Sequence, residues 1–83
     1  MNKEYINECI DIIEQIKFGS IIEITKDKQS LKFKMIEGID EAFELVCLSE
    51  EDTIWNDGET IEEIKEDLLC SAIRNRYQKI RLV

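Results

Sequence analysis

Apolar positions at the start of the chain recur every three or four residues. Tyr5, Ile6, Cys9, Ile10, Ile12, Ile13 and Ile16 share one side, and Glu4, Glu8, Asp11 and Glu14 take the other. A spacing near 3.6 predicts an amphipathic helix over about residues 2–18. Gly19, just past Lys17 and Phe18, is the expected stop, with a cation in the last turn.

From Ser20 the period drops to two. Ile22 and Ile24 share a face, residues 26–30 are polar, and Leu31, Phe33 and Met35 alternate with Lys32 and Lys34. This is the pattern of a β-hairpin. Its outer face is basic at Lys32 and Lys34, while Ile21 and Ile36 suggest that part of that face is covered too. A turn at residues 37–40 leads into a third strand over 42–48, in which Phe43, Leu45 and Cys47 alternate with Glu44 and smaller apolar residues. An antiparallel three-stranded meander is the simplest arrangement of these pieces. Residues 49–59 read as a polar loop, in which Thr53-Ile54-Trp55 has the make-up of a short fourth strand ahead of the turn signal Asn56-Asp57-Gly58.

Thr60 opens a second helix. Glu63, three residues on, completes a capping box, in which the threonine oxygen accepts the Glu63 amide and the glutamate accepts the Thr60 amide. The apolar stripe of this helix is Ile61, Ile64, Leu68, Leu69, Ala72 and Ile73, and its end is expected near residues 75–77. The last residues, Lys79 to Val83, alternate in the manner of an edge strand. The expected fold class is therefore α+β, a single domain over residues 1–83. Its order is helix, three-stranded antiparallel sheet, helix, with a C-terminal edge strand as an option.

Charge changes this picture because it is segregated. Residues 1–39 hold seven acids and six bases, residues 40–67 hold twelve acids and only Lys65, and residues 68–83 hold four bases and no acid. A chain with a net charge of −8 is repelled by nucleic acid and by anionic membranes, so the expected partner is a basic protein surface. No apolar run approaches the roughly 20 residues that cross a bilayer, and the acid-bearing start does not resemble a signal peptide. A cytoplasmic location is the expectation, with the chain a monomer or weak dimer.

Histidine is absent, which excludes Ser-His, Cys-His and zinc-histidine chemistry. Cys9, Cys47 and Cys70 are widely spaced in apolar segments and read as reduced core residues. No pair of carboxylates stands out as a catalytic dyad. The expectation is a non-enzymatic protein with no cofactor and no metal.

What remains is the acidic block. Glu62 with Glu66 and Glu63 with Asp67 are like-charge pairs at i,i+4, a spacing that destabilises an isolated helix by a few tenths of a kcal/mol per pair. Attraction to the helix N-terminus accounts for Glu62 and Glu63 better than for Glu66 and Asp67. It does not account for Glu50, Glu51, Asp52 and Asp57. A solubilising face and a binding surface both fit. Carboxylates one turn apart lie about 5–6 Å from each other, near the spacing of successive phosphates, and an arginine fork grips both alike. Trp55 among these charges suits an interface anchor and equally suits a lid over its own core. The basic end, Arg74, Arg76, Lys79 and Arg81, suits the helix C-terminus, internal pairing or a small second face. The candidate partner-binding set is Glu50, Glu51, Asp52, Trp55, Asp57, Glu62, Glu63, Glu66 and Asp67.

The run DGETIEEIKE at residues 57–66, placed after a strand, resembles the strand-to-helix junction of HicB-type antitoxins. There a Gly-x-Thr-x-Glu-Glu stretch opens the helix that follows a three-stranded sheet. That resemblance implies a toxin-binding role, although the family's proline-glycine stretch is missing here. In size, element order and acidic clusters the chain also looks like the small phage-encoded anti-CRISPR proteins that block a DNA-binding groove. That likeness implies an inhibitor acting as a nucleic-acid mimic on a nucleic-acid-binding partner. The other reading is a structural or regulatory α+β module whose contacts run through its sheet.

Overall fold

The sheet is built from one meander and one late addition. In the computed structural model, which describes residues 3–38, 42–48 and 54–83 (for 54–59 the backbone alone), the elements run α1 (Lys3–Glu14), β1 (Ile21–Lys26), β2 (Gln29–Glu37), β3 (Phe43–Cys47), β4 (Ile54–Glu59), α2 (Ile61–Ile73) and β5 (Lys79–Leu82). The strands form a single antiparallel sheet in the order β4-β3-β2-β1-β5. The α+β class and the C-terminal edge strand are as the sequence predicts, and the sheet has five strands where three were expected as its core.

Alternation decides which side of the sheet is buried. Ile22 lies opposite Phe33 and Leu82, Ile24 opposite Leu31 and Ile80, Met35 opposite Leu45, and Phe33 opposite Cys47. With period-two geometry these residues share one face, and both helices cover it. Cys9 and Ile13 of α1, with Ile16 just past its end, meet Ile64, Leu68 and Ala72 of α2 over that face, and Tyr77 is wholly buried among them.

Three local readings are corrected and one, the second below, is borne out and made more exact. The first helix stops at Glu14, short of residue 18, and its last carbonyls are met otherwise. Gln15 Nε2 donates to the Asp11 carbonyl at 2.8 Å, Gln15 and Ile16 make tighter i to i+3 bonds, and Lys65 Nζ donates to the Glu14 carbonyl at 3.2 Å. Gly19 is therefore not the helix stop. It is the third residue of a turn closed by Ser20 N–H to the Lys17 carbonyl, where its φ of +87° is needed, and its own N–H donates to the Met35 carbonyl. Second, the polar stretch at 26–30 is mostly strand, joined by a two-residue turn at Asp27 and Lys28, both at positive φ. That is the mirror-image turn whose twist suits a hairpin. Third, Asn56, Asp57 and Gly58 form no turn. They belong to β4, and the turn-prone residues coincide with two register shifts against β3 that place extra residues in β4, as bulges do. Fourth, α2 ends at Ile73. Asn75, at φ 55°, gives the left-handed residue that ends it: its N–H donates to the Ala72 carbonyl and the Arg76 N–H to the Ser71 carbonyl, the paired bonds of a Schellman motif.

The start of α2 is as predicted. Glu63 N–H donates to Thr60 Oγ1 and Thr60 N–H donates to Glu63 Oε1, each at 3.1 Å. Removing an N-cap oxygen costs about 1 kcal/mol. Thr60→Ala is therefore expected to lower the thermal midpoint by roughly 4–8 °C, the shift that 1 kcal/mol gives a domain of this size. Thr60→Ser should restore it, and calorimetry of the two variants checks this.

Candidate functional site

The second helix presents its carboxylates in three distinct settings. Glu62 and Glu66, one turn apart, are exposed. Glu63 is exposed as well, but its carboxylate is engaged in the capping box. Asp67 is half-buried on the side nearer Tyr77, whose phenol it helps to hold protonated. The four candidate acids of α2 are thus not equivalent. Glu62 and Glu66 are the pair left without a folding role in the capping box or near the buried phenol.

Two shallow depressions meet at Glu66. One, of about 320 Å³, runs between the helices and is lined by Ile10, Ile13, Glu14, Lys65, Glu66 and Leu69. The other, of about 290 Å³, is lined by Glu63, Glu66, Asp67 and Cys70. Glu66 stands on the crest between an apolar groove and a polar hollow. Glu14 reaches the groove from α1, and Asp11 is exposed one turn before it. Neither α1 acid was in the predicted set. Their spacing on the polar side of the first helix was visible, but only packing shows that this helix lies beside α2, where Lys65 bridges to it.

The remaining candidates divide by position. Trp55 and Asp57 lie in β4, at the edge of the sheet. Glu50, Glu51 and Asp52 lie outside the described residues. Of the basic end, Arg81 pairs with Glu23 through Nε at 2.6 Å, which lowers the Glu23 carboxyl and raises the guanidinium. Arg74 and Arg76 are exposed beyond α2. The cysteines are all free, but only two fit the core reading: Cys9 and Cys47 are buried, whereas Cys70 is exposed, because the last turns of α2 point it away from the sheet.

One buried cluster of reactive groups needs a separate account. Tyr5 Oη donates to the Tyr77 carbonyl, and Tyr77 Oη donates to the Leu68 carbonyl at 2.8 Å. Cys9 packs in the same cluster, its thiol within hydrogen-bonding reach of both tyrosine side chains. Burial pushes its thiol up, with hydrogen bonding to Tyr5 and Tyr77 pulling the other way. Burial likewise pushes Tyr5 up to about 12 and Tyr77 further. A thiol and two phenols held in their neutral forms inside a core are suited to packing and not to proton transfer near neutrality. Among the described residues no group of three Cys, Asp or Glu side chains is placed to hold a metal ion, and no helix is long and apolar enough to cross a membrane.

No protein-family model matches this chain, and neither a curated protein nor a solved structure is significantly similar to it.

Proposed function

We propose that the protein acts by binding, through the exposed acids of its helical layer, a basic surface on a nucleic-acid-binding partner in the cytoplasm, and that it inhibits that partner by occupying the place of nucleic acid. The observation that carries this reading is the exposed Glu62 and Glu66 pair, one turn apart on α2 and flanked across the groove by Glu14. An acidic ridge with an apolar groove beside it suits arginine-rich surfaces, because guanidinium groups bridge neighbouring carboxylates while their stems cover apolar ground. An anti-CRISPR-like inhibitor and a HicB-like antitoxin both fall within this class.

The test is a charge reversal that spares folding. Glu62→Lys with Glu66→Lys leaves the capping box intact, which reversal of Glu63 would not. Partners captured from a host lysate at low salt and released at high salt are first identified by mass spectrometry. The double variant is then expected to bind the identified partner at least about tenfold more weakly, with its thermal midpoint within a few degrees of the parent. Unchanged affinity in the double variant ends the proposal.

A further inference from the structure

The helices cover one face of the sheet, and the register places a different set of residues on the other. Arg81, Glu23 and Lys32 form one row across β5, β1 and β2, extended toward Leu48, whose N–H donates to the Lys32 carbonyl. The next row is Val83, Ile21, Lys34 and Val46, with Ile36 and Glu44 beyond it and Lys79 before. No described helix packs on this side. Lys32, Lys34 and Lys79 are exposed, Leu48 is 51% and Val83 60% exposed, and Ile21, Ile36 and Val46 are only partly covered. On this outer face the apolar residues lie among four cations, Lys32, Lys34, Lys79 and Arg81, and two acids, Glu23 and Glu44, so that the face is basic on balance. The helical layer is acidic on balance: Ile10, Leu69 and the 42%-exposed Ile73 lie among Glu14, Glu62 and Glu66, and Lys65, which also lines the groove, donates to the Glu14 carbonyl.

We infer that the open sheet face is an interaction surface for the helical layer of a second copy of this chain, so that copies associate head to tail. Lysines against glutamates and one apolar strip against another make the two faces complementary in both respects. A symmetric pairing of two sheet faces would set Lys32 and Lys34 against their own kind. Pairing of β5 edges would bring together Lys79 and Arg81, the cationic residues that commonly guard such edges. Because the two faces lie on opposite sides of a two-layer domain, the contact is heterologous, and each added copy buries one of its two faces and leaves the other open to the next copy. The inference stands independently of the proposed partner, although it uses the same helical acids. A partner seated on them would displace the neighbouring copy.

Sedimentation velocity over a range of protein concentration tests it. The wild-type chain is expected to show a rising weight-average sedimentation coefficient with concentration at moderate ionic strength, suppressed by high salt. Lys32→Glu with Lys34→Glu, and separately Glu62→Lys with Glu66→Lys, should each weaken association about tenfold or more. Mixing the two variants should restore it, since each then offers the complement of the other. Circular dichroism verifies that both stay folded, and Lys32→Gln with Lys34→Gln serves as the milder version if one does not. A wild-type chain that stays monomeric throughout overturns the inference, as does a mixture no more associated than its parts. So does a helix-face variant that associates normally. In the first two cases the partner-binding test above is untouched, so failure of one proposal is told apart from failure of the other.

Discussion

Tyr77→Ala is expected to cost about 3–5 kcal/mol, the range for emptying a large buried aromatic site, and so to leave the domain barely folded or unfolded at room temperature. The side chain is wholly buried and is the largest of the fully buried group. Its hydroxyl donates to the Leu68 carbonyl within α2, and the ring fills the space beneath a backbone that is itself tied to α1 by the Tyr5 Oη to Tyr77 carbonyl bond and to β1 by the Gln78 N–H to Thr25 carbonyl bond. A domain of this length has a total stability on the order of 4–12 kcal/mol, so the loss is comparable to the whole. Tyr77→Phe keeps the ring and removes one hydrogen bond, for about 1 kcal/mol. Urea unfolding of both variants separates packing from hydrogen bonding. A small effect of the alanine variant would contradict the placement of Tyr77 at the centre of the core.

The second large effect is expected in alkali. In the unfolded chain both tyrosines titrate near pH 10, whereas in the folded domain Tyr5 keeps its proton up to about 12 and Tyr77 beyond that, chiefly because burial disfavours the phenolate. A pKa raised on folding gives stability that is fully present below the unfolded value and is lost as pH climbs toward the folded one. Each such group takes away about 1.4 kcal/mol per pH unit in that window, with the partly exposed Tyr5 contributing less than Tyr77. Cys9, raised in the same direction, starts the decline somewhat earlier. Stability should therefore be flat on the neutral side, fall above about pH 10 and collapse by roughly pH 12. Chemical denaturation followed by circular dichroism across that range checks it. Tyr77→Phe should flatten the decline relative to its own neutral-pH stability, and a slope unchanged by that substitution would show that the loss comes from elsewhere.

Most of the architecture was legible because most of it is periodic. The alternation of Ile22, Ile24, Phe33, Met35, Leu45 and Cys47 identified the buried face of the sheet, and every one of these is buried. The Thr60 and Glu63 box marked the start of α2 to the residue. What failed to show was local chemistry with two uses. Asn-Asp-Gly serves turns and bulges alike, and here the strand continues through it. Gly19 serves helix ends and tight turns alike, and the Ser20 to Lys17 hydrogen bond that closes round it assigns it to the turn. Tyr77, in a stretch of polar and basic residues, carried no periodic signal, so the centre of the core went unmarked.

The acidic surface was legible only as a stretch of sequence. Charge runs show which residues are acidic, not which of them have other work in the fold. Thr60 takes up Glu63, and the surroundings of Tyr77 take in Asp67, while Glu14 joins from a segment nearly neutral on its own count. Among the described residues, the acids left over lie on two helices, Glu62 and Glu66 on α2 and Glu14 on α1.

The Tyr5 to Tyr77 hydrogen bond links positions 72 residues apart, and β5 adds to the sheet beside β1, the first strand made. A growing chain on the ribosome therefore holds an open core until Tyr77 and β5 have emerged. The hairpin and the second helix can assemble earlier, but the plug at Tyr77 and Ile80 arrives after both. Closure of the core is for this reason a late step in the making of this domain, and a chain cut before Tyr77 would stay unclosed and sticky, with no shortened domain to fall back on.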